Sequence, residues 1–353
     1  MRESKLVRES LRILLQATSK CPCLFTDKFC RRVKRKWNLI QFEELQKIPH
    51  VSPVNRHDVV HADLTCTSGD GETVHPSVLY FPNGWGIGNW KYLMAVTPFP
   101  NGIVYFENPE FVVSNDGILW SLPSQNAPSP VVPPPSEWTG YNSDPNLCYD
   151  AETETLFLFY REVRENRNSL TVTIFVKSTV DGILWSRPIP VKVVKTPSTI
   201  GTVLLSPSVL KLDDTAYIWY VEKTDGRYCM KRSECRSLSA IEPSVVCKVV
   251  GIPEGLSLWH IEVKEDVDGR LVMSACVTDE LTKIRSIIFA ESCDNGLTWR
   301  VLPTKLDPEP NCRERSLYKA SLIKEGGGCR WRLYYSYHDV DGHWFTAVRN
   351  VSL

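Results

Sequence analysis

The residues best suited to chemistry stand near the starts of five strand-like runs: His75 in HPSVLYF, Asp144 in SDPNLCYD, Ser206 in LSPSVLKL, His260 with Glu262 in LWHIEVKE, and Tyr318 with Lys319 in SLYKASLI. Side chains of these types serve as general acids and bases, and a pair of carboxylates flanking a bond serves in hydrolysis. In an extended strand alternate residues share a face, so His260 and Glu262 lie together, opposite Trp259 and Ile261. The five clusters are far apart along the chain. Only a fold that converges them can make a site.

Each cluster opens a block of short apolar runs punctuated by Gly, Asn, Asp and Pro, which is the pattern of strands joined by tight turns. The most legible block runs from His75 to Pro123, through HPSVLYF, KYLMAVTPF, YFENPEFVV and SNDGILWSLP. Blocks of about four strands recur roughly every 60 residues, which is the signature of a β-propeller with its innermost strands gathered on an axis. The expected fold is all-β: a five-bladed propeller of four-stranded antiparallel blades over residues 56–353. The segment HDVVHADLTC, ahead of the first block, is expected to supply a strand to the last blade and close the ring. The Pro/Ser-rich SQNAPSPVVPPPSEW reads as a surface loop or strap. Residues 1–55 read as a separate helical extension, in which Ser10–Ala17 and Thr26–Ile48 carry helical spacing. Its basic cluster, Arg31, Arg32, Lys34, Arg35 and Lys36, fits a solvated face, on an element that could dock the propeller onto a larger protein assembly.

Composition narrows the function classes. The 41 basic and 41 acidic residues cancel, so no global field favours nucleic acid or an anionic membrane. The 12 cysteines show no compact disulfide framework or zinc spacing and are expected mostly as free thiols. No run reaches the ~18 apolar residues of a membrane span. With no signal peptide evident either, the expected location is cytoplasmic or virion-associated.

SCDNGLTW, Ser292 to Trp299, matches the Asp-box of sialidases, S-x-D-x-G-x-T-W, and SNDGILW and STVDGILW resemble degenerate copies. That resemblance implies that Asp116, Asp181 and Asp294 are turn residues away from the catalytic face, with the Trp packed between blades. The five-unit count and the openings HPS, SDPN and SPS resemble the five-bladed propellers of arabinanase-, xylosidase- and invertase-type glycoside hydrolases. The wording from HPSVLYFPNGW to ENPEFVVSNDGILW is also similar to propeller proteins of bacteria and their phages, treated as glycosidase-like or tail-associated.

The hydrolase resemblance implies that Asp144, in SDP, stabilises the transition state and that Glu262 is the general acid. Glu107 would be base or nucleophile, with Asp63 and Glu110 as alternatives. His75, Asn108, His260, Trp259, Tyr318 and Lys319 would bind substrate, with Trp85, Trp90 and Trp138 as further stacking surfaces. Two departures stand out: His75 replaces the first-blade Asp of those hydrolases, and Ser143 stands where invertases carry Arg. The expected function is a carbohydrate-active propeller that recognises or cleaves a glycan or polysaccharide in an axial pocket. The alternative is a non-catalytic glycan- or receptor-binding module, such as a phage tail component. No motif calls for a cofactor. His75, Asp144, His260 and Glu262 are nevertheless suitable ligands for an axial calcium or zinc, and a divalent metal there stands as the alternative to none.

Overall fold

The computed structural model describes residues 59–64, 71–135, 140–212, 214–237, 240–326 and 330–353. The helical extension expected over residues 1–55, with its basic cluster and docking role, lies outside them, as does Trp138. The described residues form five antiparallel blades around an axis. Blade 1 comprises Thr73–Trp85, Trp90–Pro98 and Glu110–Ser114, continued by the short Leu119–Trp120 with Asp63–Leu64 beside it. Blade 2 comprises Gly140–Asp150, Thr155–Glu165, Ser169–Thr179 and Ile189–Pro197. Blade 3 comprises Val203–Leu212, Thr215–Thr224 and Arg227–Ser237, with Ala240–Ile241 and Val245–Val246 at its outer edge. Blade 4 comprises Leu256–Glu265, Leu271–Asp279, Arg285–Ser292 and Thr298–Leu306, with Lys248–Val250 added in parallel.

Blade 5 begins with Glu314–Ile323, Arg330–Asp339 and Trp344–Ser352, and its fourth strand is Val60–His61, paired with Val348 and Ala347. The segment ahead of the first block therefore closes the ring. The apolar core falls into five clusters, each between two neighbouring blades; Trp219 of blade 3 and Trp299 of blade 4 share one of them and are fully buried. The Pro/Ser-rich connector is a strap. Its Val131 and Val132 are buried between blades 1 and 2, and the Val131 N–H donates to the Pro109 carbonyl at 2.9 Å.

All five innermost strands break register near their starts, between Val74 and Ser77, Ser143 and Asn146, Leu205 and Ser208, Leu258 and His260, and Leu317 and Ala320. A bulge re-aims the side chain that it carries. In three of them the residue before a proline is left-handed: His75 at φ 61°, Asp144 at φ 52° and Ser206 at φ 49°. Such backbone costs about 1–3 kcal/mol per residue and persists only where its surroundings hold it.

Immediately beyond the bulges, polar side chains stitch the blades together. An innermost strand has no partner on its axial side, so its N–H groups need acceptors. Ser77 Oγ accepts from Leu147 N at 3.0 Å, Asn146 Oδ1 from Val209 N at 2.9 Å, Ser208 Oγ from Val263 N at 2.8 Å, and Ser321 Oγ from Val78 N at 2.8 Å. Glu262 holds the equivalent position in blade 4. These residues are the third letters of HPS, DPN, SPS, HIE and KAS.

On the opposite end of the blades, three turns share one geometry. Asp116 Oδ1 accepts from Ile118 N and Leu119 N at 2.7 and 2.9 Å, Asp181 Oδ1 from Ile183 N and Leu184 N at 2.8 Å, and Asp294 Oδ1 from Leu297 N and Thr298 N at 3.1 and 2.8 Å. Each turn glycine packs against an aromatic ring of the preceding blade: Gly117 on Tyr334, Gly182 on Phe111 and Gly296 on Trp219. Gly296 has φ +74° and accepts from Trp219 Nε1 at 3.1 Å through its carbonyl. A Cβ there would both strain the backbone and overlap the indole. Gly296→Ala is therefore expected to destabilise the protein by about 2 kcal/mol or more, read as a lower urea midpoint. An unchanged midpoint would show that the turn does not lock blade 4 to blade 3.

Candidate active site on the propeller axis

The bulges deliver His75, Asp144 and His260 to one point from blades 1, 2 and 4, all of them buried. His75 Nδ1 lies 3.0 Å from Thr97 Oγ1, and that hydroxyl donates to the Val74 carbonyl at 3.1 Å. Thr97 must therefore accept the Nδ1 proton, which leaves His75 Nε2 with a bare lone pair in the neutral ring. His260 Nδ1 lies 2.5 Å from Ser206 Oγ, which anchors the ring and leaves Nε2 without a hydrogen-bond partner among the described residues. Burial pushes the His75 pKa down to about 3, against the pull of Asp144, and holds His260 well below its ordinary value for the same reason. Both rings are neutral at physiological pH.

Asp144 is held from several sides. Its Oδ2 accepts from Ser206 N at 2.8 Å and lies 3.1 Å from Arg161 Nε. Arg161 also donates to Ser143 Oγ at 2.7 Å and to the Leu204 carbonyl at 3.2 Å. Burial works to raise the Asp144 pKa, but Arg161 and the neighbouring His260, His75 and Lys319 overcome it, and the carboxyl stays well below the usual range. The other oxygen, Oδ1, is 3.1 Å from His75 Nε2, yet neither atom has a hydrogen-bond partner, and His260 Nε2 also has none. Ligand atoms of all three residues lie within 4.8 Å of one another.

Glu107 joins this centre from the loop between the second and third strands of blade 1. It is buried, and desolvation raises its carboxyl to about 8 in spite of Arg161 and a hydrogen bond from Ser143. The Tyr318 ring lies 4.5 Å from His260 and 5.1 Å from His75, and its hydroxyl accepts from Trp259 Nε1 at 3.2 Å. Lys319 Nζ donates to the Pro145 carbonyl at 2.5 Å, and burial brings its pKa down to about 8. A cavity of about 600 Å³ adjoins Trp259 and is lined also by Tyr228, Thr278, Lys283 and Arg285.

Other expected residues stand elsewhere. Glu262 is 1% exposed, accepts from Ser77 Oγ at 2.7 Å and from Asn146 Nδ2 at 3.3 Å, and lies 3.4 Å from Lys264 Nζ. It belongs to the stitching layer beneath the site and has no open face toward a substrate. Asn108 Oδ1 accepts from Asn142 Nδ2 at 2.9 Å, so this amide ties the loop that carries Glu107 to the first strand of blade 2. Asp63 is exposed on the parallel edge beside Leu119, and Glu110 is buried and accepts from Ser129 Oγ at 3.2 Å; neither reaches the axis. Trp85 and Trp90 pair with each other at the far end of their hairpin and pack with the cluster between blades 1 and 2. Arg161 and Thr97 were not singled out from the sequence. A charge in the middle of a strand otherwise apolar, as in FLFYREV, was the available signal for Arg161.

The fold is shared with β-propellers that include glycoside hydrolases and a carbohydrate deacetylase. No protein-family model matches the chain. It is 21% identical over 332 residues to an A type blood N-acetyl-α-D-galactosamine deacetylase from Flavonifractor plautii, a match covering 80% of this chain and 41% of that protein. The chain thus spans about two fifths of that relative's length. A crystal structure of an N-acetylgalactosamine deacetylase from F. plautii, in complex with blood group B trisaccharide, superposes with a TM-score of 0.70 at 18% identity, over 86% of this chain and 94% of that one. A β-fructofuranosidase of glycoside hydrolase family 32 from Bombyx mori gives 0.58 at 13% identity, over 93% and 68%. At these identities the structural likeness establishes the fold.

The Glu107 carboxyl gives this site a pH signature. Between 4.5, the ordinary value, and about 8, the folded protein holds a proton that the unfolded chain has released. Stability from this group is complete below that window and is lost as pH rises through it. In EDTA-containing buffer the urea midpoint of Glu107→Gln is expected to exceed that of the wild type increasingly from pH 5 to pH 8. Parallel pH profiles would place Glu107 in a solvated or paired environment.

Proposed function

We propose that the axial site hydrolyses the N-acyl group of an amino sugar in a glycan, using a divalent metal held by His75, Asp144 and His260. The observation that carries this reading is the meeting of three buried, unpartnered ligand atoms: His75 Nε2, Asp144 Oδ1 and His260 Nε2. A bare imidazole lone pair facing a carboxylate oxygen at 3.1 Å is repulsive unless a cation lies between them. His75 hands its other N–H to the Thr97 hydroxyl and His260 Nδ1 is anchored on the Ser206 hydroxyl, the kind of outer contact that orients metal-binding histidines. Imidazole and carboxylate donors suit zinc and neighbouring first-row ions. Such an ion, when bound, lowers the pKa of water and polarises a carbonyl oxygen.

The chain's own groups divide the remaining work. Glu107, poised near neutrality, takes a proton from the attacking water and passes it to the departing amine nitrogen; the acyl C–N bond breaks, giving acetate and the free amino sugar. Tyr318 accepts from Trp259 and keeps its own proton to donate to the acyl oxygen. Arg161 balances Asp144 and keeps it ionised. The deacetylase activity named for the F. plautii relative supports this assignment.

The two-carboxylate glycosidase mechanism finds less support. Glu262 lies in the lower stitching layer and Asp144 is engaged by four blades, so the pair expected to flank a glycosidic bond, Asp144 and Glu262, does not face one open space. A non-catalytic or tail-associated binding module would leave the strained, unpartnered centre without a role. The test is to incubate N-acetylated oligosaccharides with the protein as isolated, after EDTA, and after metal restoration, assaying acetate and reducing ends separately. Acetate release with about one divalent metal per chain is expected. Asp144→Asn, His75→Ala and His260→Ala should each lose the metal and at least about 100-fold in turnover. Reducing ends without acetate would restore the glycosidase; binding without either product would favour the non-catalytic module.

A further inference from the structure

We infer that the cavity beside the axial site is a subsite for a negatively charged sugar unit, so that the glycan processed is anionic next to its reacting residue. This deepens the deacetylase reading and rests on it for the identity of the neighbouring residue. The cavity is lined in part by Tyr228, Trp259, Lys283 and Arg285. It adjoins the metal-binding centre: Trp259 precedes His260 with ring centroids 5.8 Å apart, and its indole N–H reaches Tyr318.

Aromatic rings flanking a sugar site ordinarily offer apolar faces for stacking, the role expected for Trp259. Here cations stand over them. The Arg285 guanidinium lies 5.4 Å from the Trp259 ring and 5.1 Å from the Tyr318 ring, and Lys223 Nζ lies 5.3 Å from Trp259 and 5.4 Å from Tyr228. A cation over a ring is held in place without being neutralised. Among the described residues neither Lys223, Lys283 nor Arg285 forms an ion pair with a carboxylate; Lys283 Nζ donates to the Glu280 carbonyl at 2.6 Å, which leaves its charge uncompensated, and Arg285 Nε has no hydrogen-bond partner. The lining holds two cations, Lys283 and Arg285, and one carboxylate, Glu280, with Lys223 beside it over Tyr228 and Trp259. Elsewhere on this protein the arrangement differs: Arg270, Arg300, Lys211 and Arg332 all face acidic partners. Unpaired cations on an aromatic floor recognise an anion, and a carboxylate or a sulfate on a sugar supplies one.

The inference is tested by calorimetric titration in EDTA, where turnover is suppressed, with three probes: chitotetraose as the neutral reference, a hyaluronan tetrasaccharide for carboxylate and a chondroitin 4-sulfate tetrasaccharide for sulfate. One or both anionic probes should bind about tenfold more tightly than the neutral one, and high salt should erase the difference. Arg285→Met should remove the preference and Arg285→Lys should restore part of it. Lys283→Ala, on an exposed turn, should weaken it and covers the case in which Arg285→Met does not fold. Affinity no greater for the charged probes than for chitotetraose, including no binding of any of them, overturns the subsite. Preferential anion binding by a metal-loaded protein that releases no acetate overturns the deacetylase reading and leaves the subsite standing. Equal acetate release from neutral and anionic substrates does the reverse.

Discussion

The Asp144 carboxylate is the point on which the axis depends. It accepts the Ser206 N–H of blade 3, pairs with Arg161 of its own blade, and stands against His75 of blade 1 and His260 of blade 4. An ionised carboxylate with no exposed surface is costly unless its charge is met, and breaking such a pair by removing one partner leaves the other uncompensated. Arg161 and the backbone N–H offset that cost. Lys319 of blade 5 contributes from beneath through the carbonyl of Pro145, the residue that follows Asp144. Elements from all five blades thus converge on two consecutive residues.

The axis has two layers with different tasks. The lower one, Ser77, Asn146, Ser208, Glu262 and Ser321, mostly supplies acceptors to the free N–H groups of neighbouring inner strands. In the upper one His75, Asp144 and His260 each keep an atom without a hydrogen-bond partner among the described residues, against one such atom, Glu262 Oε2, in the lower. A polar group buried and unsatisfied is a liability in a scaffold and a resource in a site. The left-handed backbone at His75, Asp144 and Ser206 belongs to the same economy, because the bulge turns these side chains toward one another instead of along the pleat. The lower layer and the five apolar clusters supply the rigidity that holds it.

The far ends of the blades show the opposite strategy. The aspartates of SNDG, TVDG and SCDNG satisfy their own turns, and the glycines admit an aromatic ring of the preceding blade. Blade-to-blade spacing is set there by close contact, and chemistry is left to the axial end. This division agrees with the residue usage of the two ends: small and self-satisfying at one, ionisable and shared at the other.

Local pattern carried the architecture. Period-two alternation, turn residues and a repeat near 60 residues dictate strands and their grouping, and the short last block with a strand-like segment ahead of the first dictates ring closure, later seen as Val60–His61 on Val348 and Ala347. The same pattern named His75, Asp144, Ser206, His260, Glu262, Tyr318 and Lys319 as axial residues, and the hydrolase resemblance added Glu107. The pattern could not separate the layers. His260 and Glu262 share a face of one strand, yet they differ in height along the axis, so one meets Asp144 and the other meets Ser77. Nor could it supply Thr97 as the group that fixes the His75 tautomer, Ser206 as the anchor of His260, Arg161 as the charge that holds Asp144, or Lys223 and Arg285 as the cations that cover Trp259. Those relations join positions 17 to 54 residues apart, some across one blade and some between blades, and only the folded sheets bring them into contact.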